Sequence, residues 1–208
     1  MRRYNPTFNL PDKVSPTQTS QVSTESLKRL KVVHFPNPSL KKPCVEEPEV
    51  TPEVIELSKR LLLTMMLEGA VSLSAPQVGH HLRLFAVDVN WASKGFESGE
   101  PRVFINPKIE PLKVSSAEGE PLPFQVLSTE GCASFPGVGG RKTRYTAVKV
   151  VYLDLEGVET SLIATGPLSI AIQHEMDHLN GETIQNGIAK IDLMKVLKNI
   201  KVDQRKQR

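Results

Sequence analysis

The chain has 208 residues, of which 39% are hydrophobic and 24% are charged, a balance typical of a folded globular protein. Its formal net charge of +3 is too small to indicate a protein whose main partner is DNA. No run of 18 apolar residues occurs, so we expect no membrane-spanning helix. Two distant cysteines without a secretory signal predict a reducing compartment.

Residues 1–28 are rich in serine and threonine and lack hydrophobic periodicity, which predicts a flexible N-terminal extension. Residues 29–208 are then expected to form a single domain. Arg2 and Arg3 with few acidic neighbours resemble a weak organelle transit peptide, although an ordinary bacterial tail explains them equally well. We therefore expect a cytoplasmic bacterial protein, with an organelle matrix or stroma as the alternative.

The first predicted helix begins at Thr51 and Pro52, which suit an N-cap and a first helical position, and it ends near Leu67. The apolar residues that recur on one side at helical spacing are Val54, Leu57, Leu61 and Met65. This stripe predicts that the helix packs against a core on that side.

Four later segments have the composition of strands: 83–89, 102–105, 148–155 and 159–164. The last two predict a hairpin that turns at Glu156 and Gly157, and the polar residues 90–100 predict a loop. Strands followed by a long helix indicate an α+β fold with mainly antiparallel sheets.

A second helix is predicted between Gly166 and Gly181. Gly166 and Pro167 suit an N-cap and a first helical position, and Gly181 suits the residue just past the helix end. Apolar residues occur on nearly every side of the segment, so we expect it to be a buried central helix with the sheets around it. A last helix is predicted at 189–200, with Ile191, Met194, Leu197 and Ile200 along one side.

The buried helix carries the most informative pattern of the chain. His174 and His178 lie four residues apart and therefore point the same way. Glu175 follows the first histidine, which completes the HExxH pattern typical of helices that bind a metal and place a carboxylate beside its water. A metal site is favoured over two core histidines, because burying these polar groups without a partner is costly.

Two imidazoles need a third protein ligand, and the sequence leaves its identity open. Metalloproteases of the HExxHxxGxxH type need a histidine where this chain has Ile184. Metalloproteases of the thermolysin type take their third ligand from a later glutamate, and no glutamate follows Glu182. A ligand earlier in the chain is therefore favoured, and the candidates are Cys44, Cys132, His34, His80 and His81. Cys132 has closely spaced glycines around it, which would let its backbone approach a ligand.

Three segments together resemble the peptide deformylase family, whose motifs are GxGLxAxQ, EGCxS and HExxH in this order. The second motif is intact as Glu130-Gly131-Cys132-Ala133-Ser134, and the third is intact at 174–178. The first is matched by Leu-Ser-Ala-Pro-Gln-Val-Gly at 73–79, but Ala70 and Ser72 replace its two glycines. Ala133 stands where the family usually has leucine. The resemblance covers roughly residues 30–200 and implies one catalytic domain over 29–208 with an N-terminal and a C-terminal helix.

The resemblance implies a metallohydrolase that removes the N-formyl group from formyl-methionine at the start of nascent polypeptides and releases formate. It implies a divalent metal ion held by three residues, Cys132, His174 and His178. Ferrous iron is the implied native ion, whereas this ligand set equally suits zinc, nickel or cobalt. Glu175 would be the general base and then the general acid. Gln77 and the backbone N–H of Ala133 would stabilise the developing oxyanion.

Val71, Ser72 and Gly131 match the positions at which the family binds the peptide backbone. Serine in place of glycine at 72 would weaken binding if that residue needs a conformation that only glycine tolerates. Helical spacing predicts Ile170, Ala171 and His174 as lining for the methionine side chain.

Two other functions remain open from the sequence: a metalloprotease that cuts internal peptide bonds, and a divergent deformylase-like protein that binds formylated peptides with little or no turnover. Lysines on the last helix and the basic residues 201–208 favour a solvated basic face without a partner. Docking on ribosomal RNA is the sharper alternative, and neither a membrane nor a specific DNA site is expected.

Overall fold

The computed structural model describes residues 28–90, 100–114 and 122–206. The predicted N-terminal extension and the interior of the predicted loop at 90–100 lie outside these residues. Within them the helices are α1 (Pro52–Leu67), α2 (Gly166–Leu179) and α3 (Lys190–Lys206). Short 3-10 helices span Pro38–Lys41, Ala75–Val78 and Ile184–Gly187. None of the described helices combines the length and the apolar character that crossing a bilayer requires.

The strands of the described ranges are β1 (Ser72–Ser74), β2 (Leu84–Val87), β3 (Arg102–Pro111), β4 (Lys113–Val114), β5 (Leu122–Pro123), β6 (Gln125–Gly131), β7 (Gly139–Tyr145), β8 (Ala147–Leu153) and β9 (Glu159–Thr165). Five form one sheet in the order β1-β2-β3-β8-β9, and all of its neighbouring strands are antiparallel. β4 pairs with β5, and β6 pairs with β7. The α+β class with antiparallel sheets is confirmed.

Helix α1 begins and ends as its sequence predicts. The Thr51 side chain accepts the N–H of Val54, Pro52 is the first helical residue, and Gly69 lies just beyond the end with a φ of 69°. The four predicted inward residues are at most 6% exposed. They belong to a core cluster shared with β1 and β2, so α1 packs on the face of the sheet near these strands.

The strand predictions are right in place but not in extent. β2 is shorter than the predicted 83–89, whereas β3 continues six residues past Ile105. The β8–β9 hairpin turns where predicted, with Gly157 at a φ of 75°. The sequence analysis missed the β6–β7 hairpin, because β7 opens with two glycines and three of its next four residues are charged, a composition of low strand propensity.

Helix α2 starts one residue earlier than predicted. Gly166 is already its first residue and Thr165 is the N-cap, because β9 runs directly into the helix and Thr165 keeps an extended backbone. At the other end Gly181 adopts a φ of 76°, its N–H bonds the carbonyl of His178, and the N–H of Glu182 bonds that of Asp177. These two bonds form a Schellman cap, which confirms the predicted helix end.

Replacing Gly181 by alanine should destabilise the protein more than replacing Gly166 by alanine. Both glycines have a positive φ, which costs an L-residue about 1–2 kcal/mol. A Cβ at Gly181 would also lie 2.6 Å from the carbonyl oxygen of Lys41, whereas a Cβ at Gly166 meets nothing within 4 Å. We expect the clash to lower the free energy of unfolding by a further ~1–3 kcal/mol. Urea denaturation of both variants measures the difference, and equal losses would contradict the close approach.

Helix α3 is longer than predicted, and three of the four residues on its predicted apolar side are exposed, namely Ile191, Met194 and Leu197. Ile191 and Met194 are 68% and 70% exposed, whereas Val196 is fully buried beside Phe135 in a third core cluster. Leu193 and Ile200 pack against the same cluster. The predicted and the observed buried faces of α3 are rotated from each other by part of a turn. The position at which the helix docks on the protein determines which face is buried.

Candidate metal centre and cleft

Two elements bring the three predicted metal ligands together. His174 and His178 come from consecutive turns of α2, and Cys132 follows the last residue of β6. One donor atom from each residue lies within 4.8 Å of the other two, and Cys132 Sγ lies 3.3 Å from His178 Nε2. Both histidines are buried, so the cluster faces the interior of the protein at the base of a cleft.

The donor set of this cluster fits a divalent transition metal. A thiolate and two imidazoles suit zinc, iron, cobalt or nickel, whereas calcium and magnesium prefer oxygen donors. Burial, followed by the nearby cations, holds the pKa of His178 well below its ordinary value, which favours the neutral ring that a metal requires. Burial also lowers the pKa of His174, but hydrogen bonds to Cys132 and Glu130 outweigh it, and the net shift is upward.

The other candidate ligands do not join this cluster. Cys44 is buried in the core beside α2 and the large sheet, and burial raises the pKa of its thiol to about 11. It is therefore a small apolar residue, as a free cysteine most often is. His34 lines the cleft, while His80 and His81 follow the 3-10 helix that ends at Val78.

Glu130 is a residue whose role the sequence analysis missed. Its Oε2 lies 2.8 Å from His174 Nδ1, and its carboxylate receives two hydrogen bonds from Arg144 at 2.7 and 2.8 Å. A carboxylate on the second ring nitrogen fixes the orientation and tautomer of a metal-binding histidine. The available signal was the glutamate of the EGCxS motif, which directly precedes Gly131.

The ion pairs continue from Glu130 to the protein surface. Arg144 also contacts Asp177 at 2.8 Å, and Lys142 contacts Asp177 at 2.5 Å and Glu182 at 3.2 Å. Arg144 is buried, so its charge is balanced by two carboxylates inside the protein rather than by water. This network ties β6 and β7 to the helix that carries both histidines.

Replacing Glu130 by glutamine should destabilise the protein in a pH-dependent way. Burial raises the pKa of Glu130, but Arg144 and His174 outweigh it and hold the pKa at about 2, below the ordinary 4.5. Because the folded-state pKa is depressed, the carboxylate stabilises the fold above pH 4.5 and loses that contribution as the pH falls toward 2. We expect E130Q to lower the free energy of unfolding by about 3 kcal/mol at pH 7, and the gap to wild type to shrink below pH 4.5.

Denaturation at several pH values measures this gap. Glu182→Gln is the matched control, because Glu182 is 64% exposed and also pairs with Lys142, so its loss should cost less than about 1 kcal/mol. A constant gap between wild type and E130Q from pH 7 to pH 3 would contradict the charged pair.

Glu175 lies beside the cluster and is 1% exposed. Burial raises the pKa of its carboxyl group above the ordinary range, although His174 and the hydroxyls of Ser72 and Ser74 oppose the shift. Its Oε2 has no hydrogen-bond partner among the described residues. A carboxylate of raised pKa with a free oxygen is suited to accept and return a proton near neutral pH.

Gln77 is buried in the 3-10 helix after β1, and its side chain is held from both ends. Its Oε1 accepts the N–H and the hydroxyl of Ser74, at 2.9 and 2.8 Å. This leaves the Nε2 group to face Cys132 Sγ and Ser134 Oγ, both at 3.4 Å. The side-chain amide therefore presents its N–H donors to the cluster, which an ordinary loop residue would not do.

A cleft of about 1110 Å³ opens over the cluster. Its lining includes all three predicted backbone-binding residues, namely Val71, Ser72 and Gly131, together with Ala133. It also includes His174 but neither Ile170 nor Ala171, so two of the three residues predicted to line the methionine pocket lie elsewhere. Ala171 packs in the core beside the large sheet.

Strand β1 is an edge strand along this cleft. The Val71 carbonyl accepts the N–H of Asp88, so by the alternation of an antiparallel pair the N–H and C=O of Ser72 point to the free edge.

The serine at position 72 does not occupy a conformation that only glycine tolerates. Among the described residues, Asn106 is the one non-glycine residue with a positive φ.

Comparisons with known proteins agree with this geometry. A family model for polypeptide deformylase matches residues 29–193. The peptide deformylase of Acinetobacter baumannii is 33% identical over 171 residues, which cover 82% of this chain and 89% of that protein. The peptide deformylase of Stenotrophomonas maltophilia strain K279a is 38% identical over 156 residues, covering 74% and 83%.

Solved structures give the same result. The crystal structure of peptide deformylase from Ehrlichia chaffeensis has a TM-score of 0.71 and 30% identity, and covers 86% of this chain and 99% of that one. A structure of peptide deformylase from the same organism in complex with actinonin has a TM-score of 0.70 and 31% identity, with coverages of 85% and 98%. The chain is a member of the polypeptide deformylase family.

Proposed function

We propose that this protein removes the N-formyl group from the formyl-methionine end of nascent polypeptides and releases formate. The observation that carries the proposal is a cluster of one thiol and two imidazoles beside a buried carboxylate, at the base of a cleft with an open strand edge. Family membership supports the same activity.

Cys132, His174 and His178 would hold one divalent metal ion. When bound, such an ion lowers the pKa of a coordinated water and polarises a carbonyl oxygen. We propose ferrous iron as the native ion, on the resemblance to the family, with zinc, nickel or cobalt able to replace it in a purified sample. Glu130 would keep the ring of His174 in the orientation that its other nitrogen needs.

Glu175 would act as the general base and then as the general acid. Its raised pKa lets it accept a proton from water and return it to the departing amine nitrogen near neutral pH. The side-chain amide of Gln77 and the backbone N–H of Ala133 would donate to the oxygen of the formyl group as negative charge develops there. Because Ala133 acts through its main chain, the change from leucine leaves that donor in place.

The peptide would bind as an added strand between β1 and the end of β6. The N–H and C=O of Ser72 at the free edge support this arrangement, and a Cβ at Gly131 would meet nothing within 4 Å, which indicates open space there. The engaged carbonyl of Val71 makes Ser72 the stronger candidate for backbone contacts. We place α2 as the central helix that aligns the peptide with the catalytic groups.

A formate assay on iron-loaded protein, kept free of oxygen, tests the proposal. Formyl-Met-Ala-Ser should yield formate and free Met-Ala-Ser, and an unformylated peptide with internal cleavage sites should remain intact. Cleavage of the internal bonds would favour a metalloprotease. Binding of formyl-Met-Ala-Ser without any formate would make the protein a formyl-peptide binder.

We further propose that the enzyme meets its substrate at the ribosome, in the cytoplasm of a bacterium, with an organelle matrix or stroma as the alternative. The bacterial origin of the relatives supports the compartment. Exposed lysines on α3 and the other basic residues among 201–208 support contact with ribosomal RNA. Salt-dependent co-sedimentation with ribosomes tests this contact, and equal binding after removal of residues 201–208 would exclude a role for the tail.

A further inference from the structure

Helix α3 reaches the catalytic cleft, although it follows the catalytic motifs in sequence. Ile200 lines the cleft together with Pro136 and Cys132. One turn earlier on the same face of the helix, Val196 is fully buried in a core cluster with Phe135, which is 1% exposed. The helix therefore packs directly on the loop that begins with the metal-ligand candidate Cys132.

That loop is held to α3 by a specific polar contact. Asn199 Nδ2 donates a hydrogen bond to the carbonyl oxygen of Pro136 at 3.1 Å. The next residue, Gly137, has a φ of 77°, and a Cβ there would lie 2.7 Å from the same Nδ2 atom. A side chain at 137 would therefore displace the end of the Asn199 side chain, and the positive φ of Gly137 independently favours glycine there.

Several other contacts hold this loop, among them those of the Gln77 amide with Cys132 Sγ and Ser134 Oγ. The N–H of Phe135 bonds the carbonyl of Cys132, and the N–H of Phe35 bonds the carbonyl of Ser134. The rings of Phe35 and Phe135 stack with centroids 5.2 Å apart. The hydrogen bond from Asn199 adds a restraint at the end of the loop that faces α3, where Pro136 is separated from Cys132 by three residues.

We infer that the last helix is part of the catalytic unit of this enzyme. Asn199 is a positioning residue that fixes the loop 132–137, and through it the sulfur of Cys132 and the backbone N–H of Ala133. Ile200 is a specificity-determining residue that forms the wall of the cleft beside Pro136 and contacts the substrate. The inference rests on the proposed deformylase function, but the part that concerns Asn199 can be measured without turnover.

Asn199→Asp tests the positioning role, because it keeps the shape of the side chain and replaces its N–H donors by oxygen. Zinc-loaded protein is mixed with a chelator, and the rate of zinc loss is followed. We expect N199D to lose zinc about ten-fold faster than wild type, as losses of supporting contacts around a metal site do. In the formate assay kcat should fall while KM for formyl-Met-Ala-Ser stays close to wild type. Lys198→Ala, on the exposed face one residue earlier, is the matched control.

Ile200→Ala tests the wall. Loss of its apolar surface should raise KM for formyl-Met-Ala-Ser about five- to ten-fold, with zinc retention unchanged. Ile200→Val should restore most of the affinity for formyl-Met-Ala-Ser. If Ile200 had a purely structural role, its replacement by alanine would change KM and zinc retention together. Met194→Ala, on the exposed face of the same helix, is the control and should match wild type. Removal of the whole helix is unsuitable, because Val196 belongs to the core.

If N199D loses zinc at the wild-type rate, Asn199 does not position the loop. If Ile200→Ala has the wild-type KM for formyl-Met-Ala-Ser, Ile200 does not form a substrate-binding wall of the cleft. Either result with normal formate release by the wild-type enzyme leaves the proposed function intact. Absence of formate release by the wild-type enzyme would instead remove the proposed function, and the zinc measurement would still decide the role of Asn199.

Discussion

Glu175→Gln should lower kcat for formyl-Met-Ala-Ser by a factor of about 10²–10⁴ while the protein retains its metal. The amide cannot take a proton from water or return it to the amine, yet it keeps the size of the carboxylate. Its effect should lie in kcat more than in KM, since Glu175 lines the cleft with only 1% of its surface exposed and its proposed role is proton transfer rather than peptide binding. Steady-state kinetics and metal analysis of the same preparation measure both quantities.

Glu182→Gln is the matched control for this variant. It makes the same chemical change four residues past His178, on a side chain that is 64% exposed and outside the cleft lining. Its kcat should match that of the wild type. A Glu175→Gln enzyme with wild-type kcat would remove Glu175 from the mechanism, whereas loss of metal would give it a role in holding the site instead.

Cys132→Ser should abolish formate release through loss of the metal. A serine hydroxyl is a much poorer ligand than a thiolate for a late transition metal, and its oxygen does not extend as far as sulfur. Loss of the sulfur ligand should lower the zinc affinity by more than the roughly 10- to 100-fold decrease that follows the loss of a supporting contact. Competitive titration of zinc against a chelator measures the affinity.

The second cysteine of the chain provides the control for Cys132. Cys44 is 8% exposed, lies in the core beside α2, and has a thiol whose pKa burial raises to about 11. Cys44→Ala should cost about 1 kcal/mol of stability and leave the zinc affinity unchanged. Equal zinc affinity in the wild type and in Cys132→Ser would exclude Cys132 as a ligand.

The parts of the site that depend on local periodicity were predictable from the sequence. His174 and His178 share a face because a helix repeats every 3.6 residues, and capping residues set the ends of α1 and α2 to within one position. The candidate third ligand was different, since Cys132 is 42 residues from His174 and no local rule joins them. Its choice relied on glycines and on motif order, and the structure brings its sulfur to the histidines.

Long-range packing accounts for what the sequence did not reveal. The pair Glu130–Arg144 forms across a hairpin whose second strand has weak strand propensity, so neither the strand nor the contact was predicted. The buried face of α3 was also assigned wrongly at three of its four predicted residues. Its apolar residues occur on two sides, and only docking against Phe135 determines that Val196 rather than Met194 is buried.

X-ray absorption at the zinc edge of the zinc-loaded protein tests most directly whether these three side chains share one ion. We expect one sulfur neighbour at about 2.3 Å and two imidazole nitrogens at about 2.0–2.1 Å. The sulfur signal should vanish in Cys132→Ser and persist in Cys44→Ala. A wild-type spectrum with only nitrogen and oxygen neighbours would contradict the cluster of Cys132, His174 and His178 as the metal centre.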